Sequence, residues 1–350
     1  MMNSVLKREE KAILTLRELY RQYGYTPYKM SRFEEYDLYV RYKDFLVSDQ
    51  IITFSSDRGR LMALKPDVTL SIVKNAPEQP GVVQKVYYNE NVYRDYREIM
   101  QAGLECVGDL GEYEIGEVVC LAEESMKRLG KNYVLDLSHM GLISAVLDSC
   151  GLEGNRKKQA MICLRRKNVH ELRQLCRDDM AWNKLEALLN CRELEALRPL
   201  LTTRQEIQAF EELEMLWKLL PPDNGRIRLD FSVGSNLGYY SGVVFRGYLE
   251  GIPSSILSGG QYDKLPQKMG RKARAIGFAV YLDLLQELQQ EEPGFDVDTV
   301  ILHDGNADTR QLTAAAREAA GRGTVLVTRT LPRDRSWKTL VRLGEGGQEA

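Results

Sequence analysis

Residues 230–248 read DFSVGSNLGYYSGVVFRGY. Glycines at 234, 238 and 242 run through Tyr239, Tyr240, Phe245 and Tyr248, and the valines at 243 and 244 favour an extended backbone. The passage predicts a kinked strand that exposes backbone and a tyrosine pair to something small. It holds one Asp at its start and one Arg near its end, with no acidic or basic residue between them. What surrounds it decides the fold. From 140 to 220 leucines and charges recur at helical spacing, glycine nearly vanishes after 154, and β-branched residues are scarce. That segment is all-helical, bounded by GLEGN and PPDNG. Before it, QIITFSS and RLMALK alternate about the turn DRG, and VVQKVYYNENVYR with EIMQAGLECVG makes a second antiparallel pair. After it, sheet character returns at 226–262. A chain that leaves a run of antiparallel strands, builds a helical segment and comes back to the same sheet is a discontinuous α+β domain.

The expected boundaries are a core at 1–140 and 221–290, a helical insertion at 141–220, a small C-terminal α/β unit at 295–340 after the linker EEPG, and a disordered tail at 341–350. Within the core, residues 5–23 set Val5, Ile13, Leu16, Leu19 and Tyr20 near one helical face, and Gly24 stops the helix. Pro66 and Asp67 suit the opening of a helix in PDVTLSIVKN. Residues 114–130 form an amphipathic helix ending at Gly130, YVLDLSH is a strand, and AIGFAVYLDLLQELQQ is expected as a closing helix. DTVILHD, a helix over 307–321 and GTVLVTR make one βαβ-sized unit.

With 350 residues, 43% hydrophobic, 28% charged and a net charge of −2, the chain reads as a soluble globular protein of more than one domain. The near-neutral balance argues against a nucleic-acid binder, tRNA included. No apolar run is long enough to span a membrane. The N-terminus is charged and helical in period rather than a signal peptide. The cysteines at 106, 120, 150, 163, 176 and 191 form no CxxC pair and have no histidines arranged for zinc. They read as reduced, mostly buried thiols of a cytoplasmic protein, with no metal and no cofactor.

Four stretches, LKPDVT (64–69), VYR (92–94) with QAGLE (101–105), LGYYSGVVF (237–245) with SGGQYDKL (258–265), and AIGFAVYLDLL (275–285), resemble in order the catalytic core of histidyl-tRNA synthetase, a class II aminoacyl-tRNA synthetase. The resemblance spans about residues 5–290. It implies a six- or seven-stranded antiparallel sheet flanked by helices and assembled as a dimer. Histidine offers an ammonium, a carboxylate and an imidazole, so its site needs acceptors, a cation and an aromatic or hydrogen-bonding slot. By the resemblance, Asp67 and Thr69 hold the amino group. Gln101 and Glu105, four apart on one strand face, contact the amino acid. Arg94 bridges carboxylate and α-phosphate, and Tyr239 and Tyr240 line the imidazole pocket. Taken singly, each has a plainer role: Asp67 at a helix N-terminus, Gln101 and Glu105 on a solvated strand face, Arg94 in a surface ion pair, the tyrosines in a core or rim.

The departures from that family carry as much information. Ser235 stands where a synthetase arginine opens SNLGYY, Leu284 where the arginine holding the terminal phosphate of ATP stands, and Gln261 where GGRYD has its arginine. Only DYREIM separates Arg94 from Gln101, in place of a longer loop gripping ATP and the tRNA end. The motif-1 proline is absent near Ser31, and the unit after the linker is expected to be a truncated anticodon-binding domain. Losing one buried charged partner costs about 2–5 kcal/mol, so two losses and a trimmed loop leave a histidine-sized pocket without a grip on ATP. Another family with this core, the ATP phosphoribosyltransferase regulatory subunits, fits these features. That resemblance implies a non-catalytic subunit of the first step of histidine biosynthesis. Such a subunit is required by a short catalytic subunit, binds histidine as feedback inhibitor, dimerises through its core and enters a hetero-octamer with four of each subunit. The competing readings are a divergent histidyl-tRNA synthetase or amino-acid-adenylating paralogue, and an interaction protein whose pocket is dead. The basic runs RKK (156–158) and RRK (165–167) read as solvated helix faces or a partner contact.

Overall fold

The computed structural model describes residues 6–46, 48, 50–77, 79–221, 225–233, 238–288 and 295–344. Chain order begins with α1 (Arg8–Gln22), a short β1 (Thr26–Pro27), β2 (Phe33–Glu35), α2 (Tyr36–Arg41), β3 (Thr53–Ser55), β4 (Leu61–Leu64) and α3 (Thr69–Asn75). Next come β5 (Val83–Arg94), β6 (Arg97–Gly108), α4 (Glu112–Leu129) and β7 (Tyr133–His139). The helical segment follows as α5 (Met140–Ser149), α6 (Gly154–Arg166), α7 (Val169–Leu175), α8 (Asp179–Leu189) and α9 (Arg204–Leu219). The chain then returns as β8 (Ile227–Leu229), β9 (Val243–Leu249), β10 (Leu257–Gln261), α10 (Lys264–Lys268) and β11 (Arg274–Tyr281).

β5 and β6 form the expected hairpin, paired over twelve residues from Val83↔Gly108 to Arg94↔Arg97. They belong to an eight-stranded sheet of order β1-β5-β6-β11-β10-β9-β7-β8. The six inner strands are mutually antiparallel, and the short edge strands β1 and β8 add on in parallel. These two edges carry the sheet beyond the six or seven strands expected. Side chains alternate across it, as the pleat requires. Ala102, Leu104 and Cys106 of β6, Ile276, Phe278 and Val280 of β11, and Val243 and Phe245 of β9 are buried in one core with α1 and α4. From α1 that core takes Leu16, Leu19 and Tyr20 of the face read from the sequence, with Ala12 beside them and Ile13 packed partly against it. Gly24, at φ 81, follows the helix; Val5 lies outside the described residues. Each fully buried leucine here contributes about 1.5–3 kcal/mol.

Two expectations fail. AIGFAVYLDLLQELQQ is not one helix: Arg274–Tyr281 is strand β11 and Leu282–Glu287 coils as a 3-10 turn, while residues 289 and 290 lie outside the described residues. The run AIGFAVY is glycine-bearing, aromatic and β-branched, which suits a pleated surface buried on both faces better than a helix. It sits between β6 and β10, both partners antiparallel. The second failure is at the end of the chain. The unit described from Phe295 holds β12 (Val297–His303), α11 (Thr309–Ala320) and β13 (Val325–Thr328), and also β14 (Trp337–Leu343). β12 lies between the other two strands and parallel to both. Residues 341–343, expected in a disordered tail, pair with β12, because Leu340 and Val341 continue the extended run of WKTLVRL. Residues 345–350 lie outside the described residues.

The helical segment packs around Leu142, Ile143, Val146, Leu164, Leu172, Leu185, Phe210 and Leu213. A buried pair holds it together. Lys184 Nζ donates to Glu206 at 2.7 Å, to Thr202 Oγ1 at 2.8 Å and to Ser149 Oγ at 3.1 Å. Each basic run carries one ion pair: the partly buried Lys157 with Asp148 at 2.6 Å, and the exposed Lys167 with Asp230 at 2.9 Å.

Candidate functional site

The face of the sheet opposite α1 and α4 is low. β6 presents Gln101, Gly103 and Glu105 there, and β11 presents Gly277, Ala279 and Tyr281. The missing side chains matter. A Cβ on Gly103 would lie 2.4 Å from the Phe278 carbonyl oxygen and 2.5 Å from the Tyr88 hydroxyl. One on Gly277 would lie 2.5 Å from the Leu104 carbonyl oxygen and would overlap the Glu105 carboxyl. Over this floor opens a cavity of about 500 Å³, within the range of small-molecule sites.

All seven residues proposed from the sequence line it: Asp67, Thr69, Arg94, Gln101, Glu105, Tyr239 and Tyr240. Asp67 stands just before α3, and its Oδ1 accepts the Leu70 N–H at 2.9 Å. The helix-opening role and a place in the cavity therefore belong to the same carboxylate. Thr69, the first residue of α3, donates from Oγ1 to Glu105 Oε1 at 2.8 Å, and the Tyr262 hydroxyl donates to Glu105 Oε2. Burial pushes the Glu105 carboxyl up to about 8 against the pull of those two donors, and the neighbouring Asp67 adds to the rise. An acid raised to that value is largely protonated at pH 7. Burial raises Asp67 as well, opposed by the Arg94 cation and by backbone N–H groups.

Arg94 ends β5 at the tip of the hairpin. The turn behind it is two residues, Asp95 and Tyr96, at φ 51 and 60, the left-handed pair of a type I′ connection. Ser48 steadies it, donating to Asp95 at 2.6 Å. Arg94 is 7% exposed and Gln101 is 2% exposed. Among the described residues, Arg94 Nε and Gln101 Nε2 are buried donors with no acceptor. Each such donor costs about 1–3 kcal/mol when left unmet, so the lining favours a ligand rich in acceptors.

An aromatic wall closes one side. Tyr239 meets Tyr240 edge to face at 4.6 Å between ring centroids, with Tyr262 at 5.6 Å and Phe45 at 5.8 Å. Burial raises the hydroxyl pKa of both Tyr239 and Tyr240, so they stay protonated donors. Tyr88, Tyr262, Phe45 and Arg246 line the cavity too and were given no role from the sequence. Tyr88 was legible by register, opposite Gly103, and Tyr262 by its place in SGGQYDKL.

Ser235 lies outside the described residues. Leu284 sits in the 3-10 turn after β11, packed partly against the α1–α4 core, and is not among the residues lining the cavity. Gln261 is buried beside it, donating from Nε2 to Asp263 at 2.5 Å. No cluster of His, Cys, Asp and Glu suited to a metal occurs among the described residues.

The family model for histidyl-tRNA synthetase matches residues 2–285. An ATP phosphoribosyltransferase regulatory subunit from Oceanobacillus iheyensis is 27% identical over 301 residues, 80% of this chain and 74% of the relative. The fold is similar to that of an ATP phosphoribosyltransferase regulatory subunit/histidyl-tRNA synthetase from Bacillus halodurans C. The two share a TM-score of 0.75 at 23% identity, covering 97% of this chain and 95% of the other. It is also similar to a chain of the ATP phosphoribosyl transferase (HisG:HisZ) complex from Thermotoga maritima, with a TM-score of 0.62 at 17% identity, covering 78% and 97%. With most of its length matched by the family model, the chain belongs to the histidyl-tRNA synthetase family.

Proposed function

We propose that this chain is a regulatory subunit of ATP phosphoribosyltransferase that binds histidine and passes its signal to a short catalytic subunit. The observation that carries this reading is the convergence of Asp67, Thr69, Arg94, Gln101, Glu105, Tyr239 and Tyr240 on one cavity. The names of its relatives supply the assembly in which such a pocket has a use. Asp67 and Thr69 accept the ligand's ammonium, the Tyr239–Tyr240–Tyr262 wall takes the imidazole, and protonated Glu105 offers that ring a donor or an acceptor. Arg94 supplies positive charge and a buried donor, Nε, that has no acceptor among the described residues.

In this reading the chain performs no amino-acid activation. The two-residue turn after Arg94 leaves no long loop to fold over a triphosphate, and Leu284 has no donor for phosphate. The protein works in the cytoplasm, its six cysteines free thiols, as a homodimer through the synthetase-like core within a hetero-oligomer of catalytic and regulatory subunits.

The test is Arg94→Ala in the complex reconstituted with its catalytic subunit. Histidine inhibition should vanish while co-elution of the two subunits and uninhibited activity persist. Equal inhibition of variant and wild type places the sensor elsewhere. Histidine-dependent exchange of pyrophosphate into ATP by this chain alone would overturn the regulatory reading in favour of an activating enzyme.

A further inference from the structure

The floor of the cavity can be followed residue by residue across five strands. Tyr88 lies opposite Gly103, Gly103 opposite Ala279, Ala279 opposite Ser258, and Ser258 opposite Arg246. The three middle positions carry almost no side chain, so this row is an open trough. At about 4.8 Å between strands, it runs roughly 19 Å from the Tyr88 Cα to the Arg246 Cα. One end is a phenol, and the other is a guanidinium.

The two cations lining the cavity among the described residues are differently engaged. Arg94 acts on Asp67, whose carboxyl it holds against the effect of burial. Arg246 is partly buried on β9, and among the described residues it makes no ion pair, although it lines the cavity and its charge acts on the Tyr240 hydroxyl. The carboxylate on β7 opposite it, Asp136, is already taken: Arg228 grips it from Nε at 2.8 Å and from Nη2 at 3.1 Å. A guanidinium is always charged and presents paired donors that match a carboxylate. Glu105, the other acid of the cavity, is itself held by Thr69 and Tyr262.

Building on the histidine reading above, we propose that Arg246 is the carboxylate anchor of the pocket. The α-carbon of the bound amino acid sits over this floor, its carboxylate turned toward Arg246 and its ammonium, on the same carbon, turned toward Asp67 and Thr69. Arg246 thereby selects a free α-carboxylate over an uncharged group.

Titration calorimetry on the full chain separates the possibilities, with histidine and with histidinol, which carries an alcohol in place of the carboxylate. Wild type should prefer histidine by about thirtyfold or more, the usual scale for one charged partner. Arg246→Gln should weaken histidine to about the level of histidinol and change histidinol binding less than about twofold. Arg246→Lys should recover part of the loss, and thermal melts of both variants should match wild type. A general loss of structure would weaken both ligands together and is thereby told apart. Equal affinity of wild type for the two ligands, or histidine binding unchanged in Arg246→Gln, overturns the anchor while leaving the histidine pocket standing. No binding of either ligand to wild type overturns the histidine reading, and the anchor with it.

Discussion

Replacing Glu105 by Gln should stabilise the protein at neutral pH and flatten the dependence of its stability on pH. Glu105 is fully buried beneath the cavity, with an ordinary value of 4.5 raised to about 8, chiefly by burial. A raised acid is protonated in the folded chain while already ionised in the unfolded one. Its contribution is fully present below 4.5 and is lost as pH climbs through 8. At 1.36 kcal/mol per pH unit, the 2.5 units between 4.5 and 7 correspond to about 3 kcal/mol, and the full window to about 5 kcal/mol. Glutamine keeps the shape of the protonated acid. Its amide oxygen accepts from Thr69 Oγ1, and its amide N–H donates to the Tyr262 oxygen, so both contacts to Glu105 survive. At about 2.1 cal/mol/K per residue over the roughly 280 residues of the larger unit, 3 kcal/mol corresponds to a melting shift of about 5 °C. Urea and thermal melts followed through Trp182 and Trp217 from pH 5 to 8.5 make the comparison. Wild type should lose stability relative to Glu105→Gln with a slope near 1.4 kcal/mol per unit between pH 5 and 7.5. Parallel profiles, or a variant less stable than wild type at pH 7, would refute the protonated, ligand-facing acid.

Gly103→Ala places a methyl 2.4 Å from the Phe278 carbonyl and 2.5 Å from the Tyr88 hydroxyl. It should cost about 1–3 kcal/mol and reduce histidine affinity more than tenfold, read by melting and by calorimetry. Lys184→Met leaves Glu206 buried and uncompensated, a loss of about 3–5 kcal/mol that circular dichroism should register as early melting of the helices. Burial alone would raise Glu206, but hydrogen bonds from Lys184, Ser149 and the Thr202 and Thr203 backbone bring it to about 2. Its stabilisation is present above 4.5 and is lost as pH falls toward 2, so wild type should weaken progressively on acidification over that window. Lys184→Met should show a shallower acid dependence.

Much of this was legible because the chain uses strong local signals. The hairpin strands alternate cleanly, and the segment 140–220 repeats leucine at helical spacing with caps at Asn168, Asp178 and Thr203. The candidate site residues came from the resemblance to the synthetase core; strand parity added only that Gln101 and Glu105 share a face, and the structure brings that face under α3. β11 was misread because a short apolar run buried on both sides carries no period to separate strand from helix. The turn at Asp95–Tyr96 was legible only as a shortened connection. Nothing in those two residues announces positive φ as Asn-Gly would, so the pairing of twelve residues on each side imposes it. Arg246 was visible as the lone cation of its passage, but its relation to the cavity depends on register across four neighbouring strands. No local pattern encodes that.

The energetics of the empty pocket bear on why a synthetase-like fold suits regulation. Among the described residues, two buried donors, Arg94 Nε and Gln101 Nε2, lack acceptors, and each costs about 1–3 kcal/mol. Glu105 must be neutral, at a further cost of about 3 kcal/mol at pH 7. A small ligand that accepts from the first two and interacts with the third relieves several of these penalties at once. Binding energy of this kind stabilises the filled state over the empty one by RT ln(1 + [L]/Kd), and only such a difference between states can move a coupled equilibrium. Catalysis would ask for something else, donors fixed on charge that develops during reaction. The cations lining this cavity among the described residues are Arg94 at a tight hairpin tip and Arg246 at the far end of the trough. In the regulatory reading both serve to hold a ligand. In this reading a ligand that meets those donors stabilises the filled state, and that free energy is what a coupled equilibrium can draw on.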